Sequence, residues 1–327
     1  MTTIRIPNVR RTSLTSVKAR SSNPFESRNP AHDMRRHLVN KIAAVVVCVS
    51  FALAVIPLIS LLTTVVMQGY ARLSPYFLSV SMAGVYGGMN AGGIYHAIVG
   101  TVLVTGLATL ISVPIGLGCA IYLVEYARGT RFARVTNFLV DVMTGIPSIV
   151  AGLFAAALFA TFVSPAYRAG IMGAVALVVL MIPTVVRSSQ EMLMLVPMEL
   201  REASYALGVP HWRTIAKVVL RTAAPGLTTS IMLAIARVIG ETAPLLMTVG
   251  VLHSINFNPF EGRLMTLPVY VYRQYSQGLA PCGGLENCVP TINFERAWAA
   301  ALVLIIIVMI LNIGARIISS LFSHNMR

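Results

Sequence analysis

Six long apolar runs, separated by short polar segments, organise the chain. They cover roughly residues 42–67, 94–123, 135–162, 171–186, 227–251 and 297–321. About 20 apolar residues cross a bilayer, and backbone polar groups inside it must be satisfied within the segment, so the runs predict six membrane-spanning helices. The run at 42–67 is too long for a signal-peptide core and lacks a convincing small-residue cleavage site, so it reads as a retained first span. Pro114, Pro147, Pro183 and Pro244 fall inside the runs. Each removes a helical donor, so kinks are expected that neighbouring helices must accommodate.

The polar positions set the orientation. Of the 25 Lys and Arg residues, nine lie in residues 1–41 and ten more in the segments that six crossings place on the same side. Five, at Arg72, Arg168, Arg263, Arg273 and Arg296, fall on the other side, and Arg237 lies within a run. The positive-inside rule then puts both termini in the cytoplasm of a bacterial plasma membrane. Residues 1–40 are polar, basic and without a helical stripe, and read as a disordered tail. Residues 41–322 form one six-span domain. Its longest inner loop lies at about 188–222 and its longest outer loop at about 252–296.

Composition agrees with the pattern. Of the 327 residues, 56% are hydrophobic and 11% charged, and the mean hydropathy is +0.77. A soluble domain carries about 25% charged residues. The net charge of +14 does not indicate nucleic acid, because the basic residues gather between apolar runs. Cys282 and Cys288 share the outer loop, where they either close a small disulfide hairpin or stay reduced. The six histidines show no metal-ligand spacing, and no nucleophile-elbow or zinc-protease motif occurs. Lys18, Lys41 and Lys217 are the only lysines and none follows a Gly, so the chain has no loop to cradle ATP phosphates. The Gly-rich stretch at 84–96 fits no phosphate-loop spacing and reads as a flexible outer entry to the second span.

Two places interrupt the pattern. "MELREASYALGVPHWRTIAKVVLR" (198–221) reads as helix, turn and helix, with Gly208 as the stop and Pro210 as the restart. Its first helix has an apolar face at Leu200, Ala203 and Leu207. Its second carries Trp212, Ile215 and Val219 on one side and Arg213 and Lys217 on the other. Such a knob is either gripped by a partner or rests on lipid headgroups. The second place is in the fifth run, where Arg237 and Glu241 are the eleventh and fifteenth residues. A charge at mid-membrane costs roughly 2.5–3.5 kcal/mol on insertion scales. At i, i+4 the two share a helix face and can pair internally. Alternatively they form an anion site, with the guanidinium fork holding a tetrahedral oxyanion. Glu241 fits a protonated anion: phosphate near neutral pH retains a P–OH that can donate to a carboxylate, and sulfate has none. Asp141, at the inner end of the third run, reads as a helix–helix or interfacial contact.

Glu202, Ala203, Ser204 and then Gly208 resemble the EAA loop of ABC importer permeases, with Ser in place of the second Ala. The distant I-x-LP of that pattern is replaced by Val218, Val219, Leu220 and Arg221. "ARVIGETAPLL" (236–246), "TGIPSIVAGLF" (144–154) and "MIPTVVRSSQEMLMLVPMELREASYALG" (181–208) resemble the phosphate-specific ABC permeases, and the GETAPLL form resembles their PstA-type branch rather than the PstC-type. The resemblance implies an all-α ABC importer-type transmembrane domain that imports inorganic phosphate. It implies as partners a second, PstC-type permease, a PstB-type ATPase dimer that binds ATP-Mg, and an external PstS-type phosphate-binding protein. It implies ATPase coupling at Glu202, Ala203, Gly208, Pro210 and Trp212, and a phosphate path at Arg237, Glu241 and Arg187. Arg187 also reads as a basic interfacial anchor. The chain itself would hold no cofactor and catalyse no reaction. A permease for sulfate or molybdate, or a secondary anion transporter, are the alternatives.

Overall fold

The structure is a computed structural model that describes residues 30–283 and 287–324. The described residues are helical, with no strand among them. In chain order the helices are α1 (Pro30–Tyr70), α2 (Pro75–Ser79), α3 (Tyr95–Ile121), α4 (Arg131–Thr144), α5 (Ser148–Phe162), α6 (Gly170–Met194), α7 (Met198–Ala206), α8 (His211–Thr214), α9 (Leu220–Ile239), α10 (Ala243–Thr248), α11 (Leu267–Ser276) and α12 (Ile292–His324). A wide π turn, Tyr122–Tyr126, extends α3, and another, Ile215–Val219, joins α8 to α9.

Two compact units divide at Leu61 and Leu62. The described part of the first is the N-terminal portion of α1, whose apolar side chains, such as Val45, Phe51 and Leu53, are exposed. Helix α1 begins at Pro30, so residues 30–40 are helical rather than a disordered tail. The remainder of the expected tail lies outside the described residues.

Among the described residues five helices are long and apolar enough to cross a membrane: Met34–Tyr70, Tyr95–Tyr126, Gly170–Met194, His211–Ile239 and Ile292–Ser320. The sixth expected span, at 135–162, is not one rod. It is α4 and α5, bent by 104° at a short break. The cause is local: Gly145 ends α4, and Pro147 disfavours helical backbone at Ile146 before it. Pro147 itself sits at ψ 135°, outside the helical region. The fifth span also differs from the apolar run. It extends back to His211 and stops at Ile239. Gly240 caps α9, and Pro244 sits in the first turn of α10, where its missing N–H costs nothing.

In the second unit the core is built by close backbone approach. Without a hydrophobic drive between helices in lipid, small residues at crossings supply packing contact. A Cβ on Gly116 of α3 would lie 2.8 Å from Val185 of α6, and one on Gly152 of α5 would lie 2.6 Å from Pro244 Cα at α10. Val104, Leu177, Met181, Ala234, Tyr270 and Ala299 are fully buried in the main core. A second cluster, with Ala120, Leu193, Val219 and Leu227, closes the end nearest α7 and α8. Thr101 pins α11 to α3: its hydroxyl donates to the Ala97 carbonyl (2.7 Å) and accepts from Leu267 N–H (2.8 Å). That bond satisfies an orphan donor at the α11 N-terminus.

Candidate functional site

The break between α4 and α5, one face of α6 and the end of α9 enclose a cavity of about 220 Å3. It is lined by Thr144, Ser148, Thr184, Arg237 and Glu241, with Met143, Ile146 and Leu180 as apolar wall. Arg237 is in the last turn of α9 and is exposed to this space. Among the described residues its guanidinium has no hydrogen-bond or ion-pair partner. Glu241 is partly buried and likewise has no side-chain partner. The i, i+4 pairing expected on one helix face does not form. Gly240 caps α9, and the Glu241 N–H turns back to the Val238 carbonyl (3.1 Å), which carries Glu241 off the helix. The two charges still line one cavity, but as separate groups.

The α4–α5 break adds to this cavity. Ser148 is the first residue of α5, and Ile146 and Ser148 both line the space, so the start of a 15-residue helix abuts it. The first N–H groups of a helix have no intrahelical acceptor and carry the positive end of the macrodipole. Helix terminus and guanidinium both present positive charge to the cavity, and Glu241 is the carboxylate among its described lining residues.

Arg187 does not line this cavity. It is an ion-pair partner of Asp141, and it donates to the Asn137 carbonyl (3.1 Å) and to Gln190 Oε1 (3.3 Å). Gln190 in turn donates to Asn137 Oδ1 (3.0 Å). Arg187 thus ties α6 to α4, and its donors are engaged by protein.

Just beyond the C-terminal end of α6, the helix–turn–helix of 198–221 forms α7, a turn and α8. Gly208 adopts φ +74°, which a side-chain-bearing residue rarely takes, and nothing lies within 4 Å of an added Cβ, so the backbone alone requires glycine. Pro210 caps α8, its carbonyl accepting from Arg213 N–H (2.9 Å), and Ser204 and Thr214 join the two helices through their hydroxyls (2.8 Å). Glu202 and Ala203 are exposed. The apolar face expected on α7 is not buried: Leu207 is 83% and Leu200 41% exposed, and Trp212 on α8 is 60% exposed beneath the Arg213 guanidinium (5.2 Å). Ile215 and Val219 are buried instead. A cluster of this kind marks an interaction surface.

Beneath that surface lies a pair that sequence reasoning missed. Arg201 and Glu125 form an ion pair at 2.8 Å, with side chains only 6% and 5% exposed. Arg201 also donates to the carbonyls of Leu193 (3.0 Å) and Val196, satisfying the end of α6. The partners are 76 residues apart, so no local spacing could reveal them. Partial desolvation first, and then the neighbouring Glu125 carboxylate, push the Tyr205 phenol above its ordinary pKa. On the far side of the unit, Cys282 and Cys288 are bonded, with Cα atoms 5.6 Å apart. Among the described residues no cluster of His, Cys, Asp and Glu could hold a metal.

Comparison with known proteins places this geometry. Residues 112–327 match the model of a family described as binding-protein-dependent transport system inner membrane component. The chain is similar to the phosphate transport system permease protein PstA 1 of Mycobacterium tuberculosis (strain CDC 1551 / Oshkosh). They share 45% identity over 286 residues, covering 87% of this chain and 90% of that protein. Similarity to the phosphate transport system permease protein PstA of Mycobacterium leprae is 42% over 284 residues, covering 86% and 88%. Among solved structures, a chain from a bacterial alginate ABC transporter, crystallised with an alginate pentasaccharide-bound periplasmic protein, superposes with TM-score 0.58. It has 11% identity and covers 87% of this chain and 94% of that one, a likeness of fold alone.

Proposed function

Because this chain belongs to the binding-protein-dependent transport system inner membrane components, among the PstA-type phosphate permeases, we propose that it is a membrane subunit of an ATP-driven inorganic phosphate importer. It forms half of the translocation path beside a second permease and takes its drive from a separate ATPase dimer. An external phosphate-binding protein delivers the cargo. The chain carries out no catalysis and both its termini face the cytoplasm of the bacterial plasma membrane.

The observation that carries the substrate assignment is the state of Arg237. It is a membrane-span arginine without a protein partner, in a cavity that also holds Glu241, the Ser148 hydroxyl and the start of α5. A charge left unpaired at such depth is costly, and a transported anion offsets that cost only while it is bound. Glu241 accepts from the P–OH of phosphate and repels fully ionised sulfate, so selection rests partly on repulsion. Arg187 does not line this cavity and is held by Asp141 and Asn137, so the proposed path does not draw on it.

Coupling rests on the exposed α7–α8 knob. Leu207 and Trp212 offer the apolar contact, Glu202 and Arg213 the charged rim, and the left-handed Gly208 the sharp turn. Movement of the ATPase subunits is transmitted through this knob to the Arg201–Glu125 pair and so to the ends of α3 and α6.

Radiolabelled phosphate uptake in cells that depend on this chain tests the proposal. Uptake should require ATP rather than a proton or sodium gradient, and excess sulfate should not compete. Uptake that follows an ion gradient with ATP depleted contradicts the ABC reading, and full competition by sulfate contradicts the role given to Glu241.

A further inference from the structure

A second group of charges lies away from the Arg237 cavity, where α12 begins. Arg296 is 1% exposed. Its Nη2 donates to the carbonyls of Met89 and Ala91 (2.7 Å each), and its Nε has no partner. Carbonyls carry no formal charge, so the guanidinium is not neutralised. The neighbouring carboxylate, Glu295, is taken by Thr291 (2.8 Å) and Arg72 (3.4 Å). Arg72 shares the Ala91 carbonyl with Arg296, and its own Nε is also unpartnered. Among the described residues, two buried or half-buried guanidiniums thus face one carboxylate. Burying an uncompensated charge is costly, and proteins rarely leave one so.

Further unpartnered groups gather around this charge. Gln274 Oε1, Tyr270 OH and both ring nitrogens of His96 have no hydrogen-bond partner, and these residues are at most 3% exposed. Tyr270 and Gln274 are one turn apart on α11, and the His96 ring meets Tyr270 edge-on at 5.7 Å. Native proteins leave few such groups, and a cluster of them calls for a ligand or ordered water. Arg296 and Gln274 line a cavity of about 310 Å3 together with Gln277, Asn293 and His253. Among the described residues no carboxylate lines it, which disfavours a cation, and the amide of Gln274 can present either its oxygen or its nitrogen. The wall is firm. The segment at 84–96, expected to be flexible, is hydrogen-bonded through Gly88 N–H to the Pro281 carbonyl (3.2 Å) and through Val289 N–H to the Gly88 carbonyl (2.9 Å), beside the Cys282–Cys288 bond.

The Asn293 amide already donates to the Gly278 carbonyl (3.1 Å). We propose that this cavity is a second oxyanion site, separate from that of Arg237, which takes a tetrahedral phosphate-like anion on Arg296 and the amide of Gln274. The shared chemistry also admits the phosphate of a lipid headgroup, and the test separates the two. The proposal does not rest on phosphate being the transported cargo.

The test places one cysteine at the exposed rim, His253→Cys, in the assembled transporter purified in detergent without the external binding protein. Modification by an anionic and by a cationic methanethiosulfonate reagent is timed, with the unsubstituted protein as background for Cys48 and Cys119. The anionic reagent should react about tenfold faster or more, as expected of a positively lined cleft. Inorganic phosphate should slow it severalfold, where chloride at equal ionic strength does not. Both effects should persist in Arg237→Gln, and Arg296→Gln should abolish the preference. If Arg296→Gln fails to fold, Gln274→Leu should still weaken phosphate protection. Equal rates without protection overturn the site whatever uptake does, and so does protection lost in Arg237→Gln. Protection by phosphatidylglycerol vesicles but not by free phosphate overturns the free-anion assignment. Protection by sulfate but not by phosphate overturns phosphate as the ligand of this site.

Discussion

Two arginines, Arg201 and Arg237, lie in the second unit, and their surroundings are opposite. Arg201 is buried against Glu125 at 2.8 Å and donates to the carbonyls that end α6. Arg237 is exposed to a cavity, and Glu241 shares that cavity without pairing to it. Both are costly placements for a charge. In the first the protein meets the cost with its own groups and gains a fixed joint between α3, α6 and α7. In the second it leaves the charge open, as expected where the partner arrives and departs. A satisfied charge is architecture, and an unsatisfied one in a cavity points to a ligand.

Breaking the satisfied joint should have the largest effect on stability. Arg201→Ala leaves Glu125 buried and unpaired, and should destabilise the chain by about 3–5 kcal/mol. Thermal unfolding of the purified protein would read this as a large fall in Tm, whereas Arg237→Ala should leave Tm nearly unchanged. Replacing both partners, Arg201→Met with Glu125→Leu, should recover roughly half of that loss or more, because no orphan charge remains. A double mutant no better than Arg201→Ala would mean that the carbonyl contacts of Arg201, not the pair, hold the joint.

The open site should respond in selectivity rather than stability. Glu241→Gln removes the repulsion of a fully ionised anion, so sulfate should begin to compete with phosphate, its relative uptake rising about tenfold or more. Competition assays at matched protein abundance would measure this, and an unchanged preference would remove Glu241 from the selection. The smallest effect belongs to the pair between these extremes. Arg187 and Asp141 are 34% and 62% exposed, so Asp141→Asn should cost no more than about 1 kcal/mol.

How much of this was legible beforehand differs by element. The spans were readable because an unbroken apolar run in lipid has one solution, a helix. Where the runs failed, the cause was a residue in plain view. Pro147 after Gly145 turned the expected rod at 135–162 into two helices at 104°, and α9 ended at its Gly240 cap before Glu241. The chemistry of Arg237 and Glu241 was readable from their depth, but not that they stand apart, since their spacing alone suggested a shared face. The α7–turn–α8 shape followed from Gly208 and Pro210, whereas the outward face of Leu207 was hidden, because an apolar residue on an amphipathic helix reads as buried. Glu125 with Arg201, and Arg296 with the carbonyls of Met89 and Ala91, join residues far apart in the chain and leave no local pattern. The contacts of Arg187 were hidden for the same reason, since Asn137 and Asp141 reach it from another helix.

The central claim is that Arg237 serves a passing anion and not the fold. Its most direct test is radiolabelled phosphate uptake by Arg237→Gln, compared with the unsubstituted chain at equal membrane abundance and equal assembly with the ATPase subunit. Loss of a charge-assisted contact of this kind should lower uptake tenfold or more, by an approximate estimate, with Tm and assembly unchanged. Uptake preserved in Arg237→Gln, or lost only together with assembly, would contradict the account.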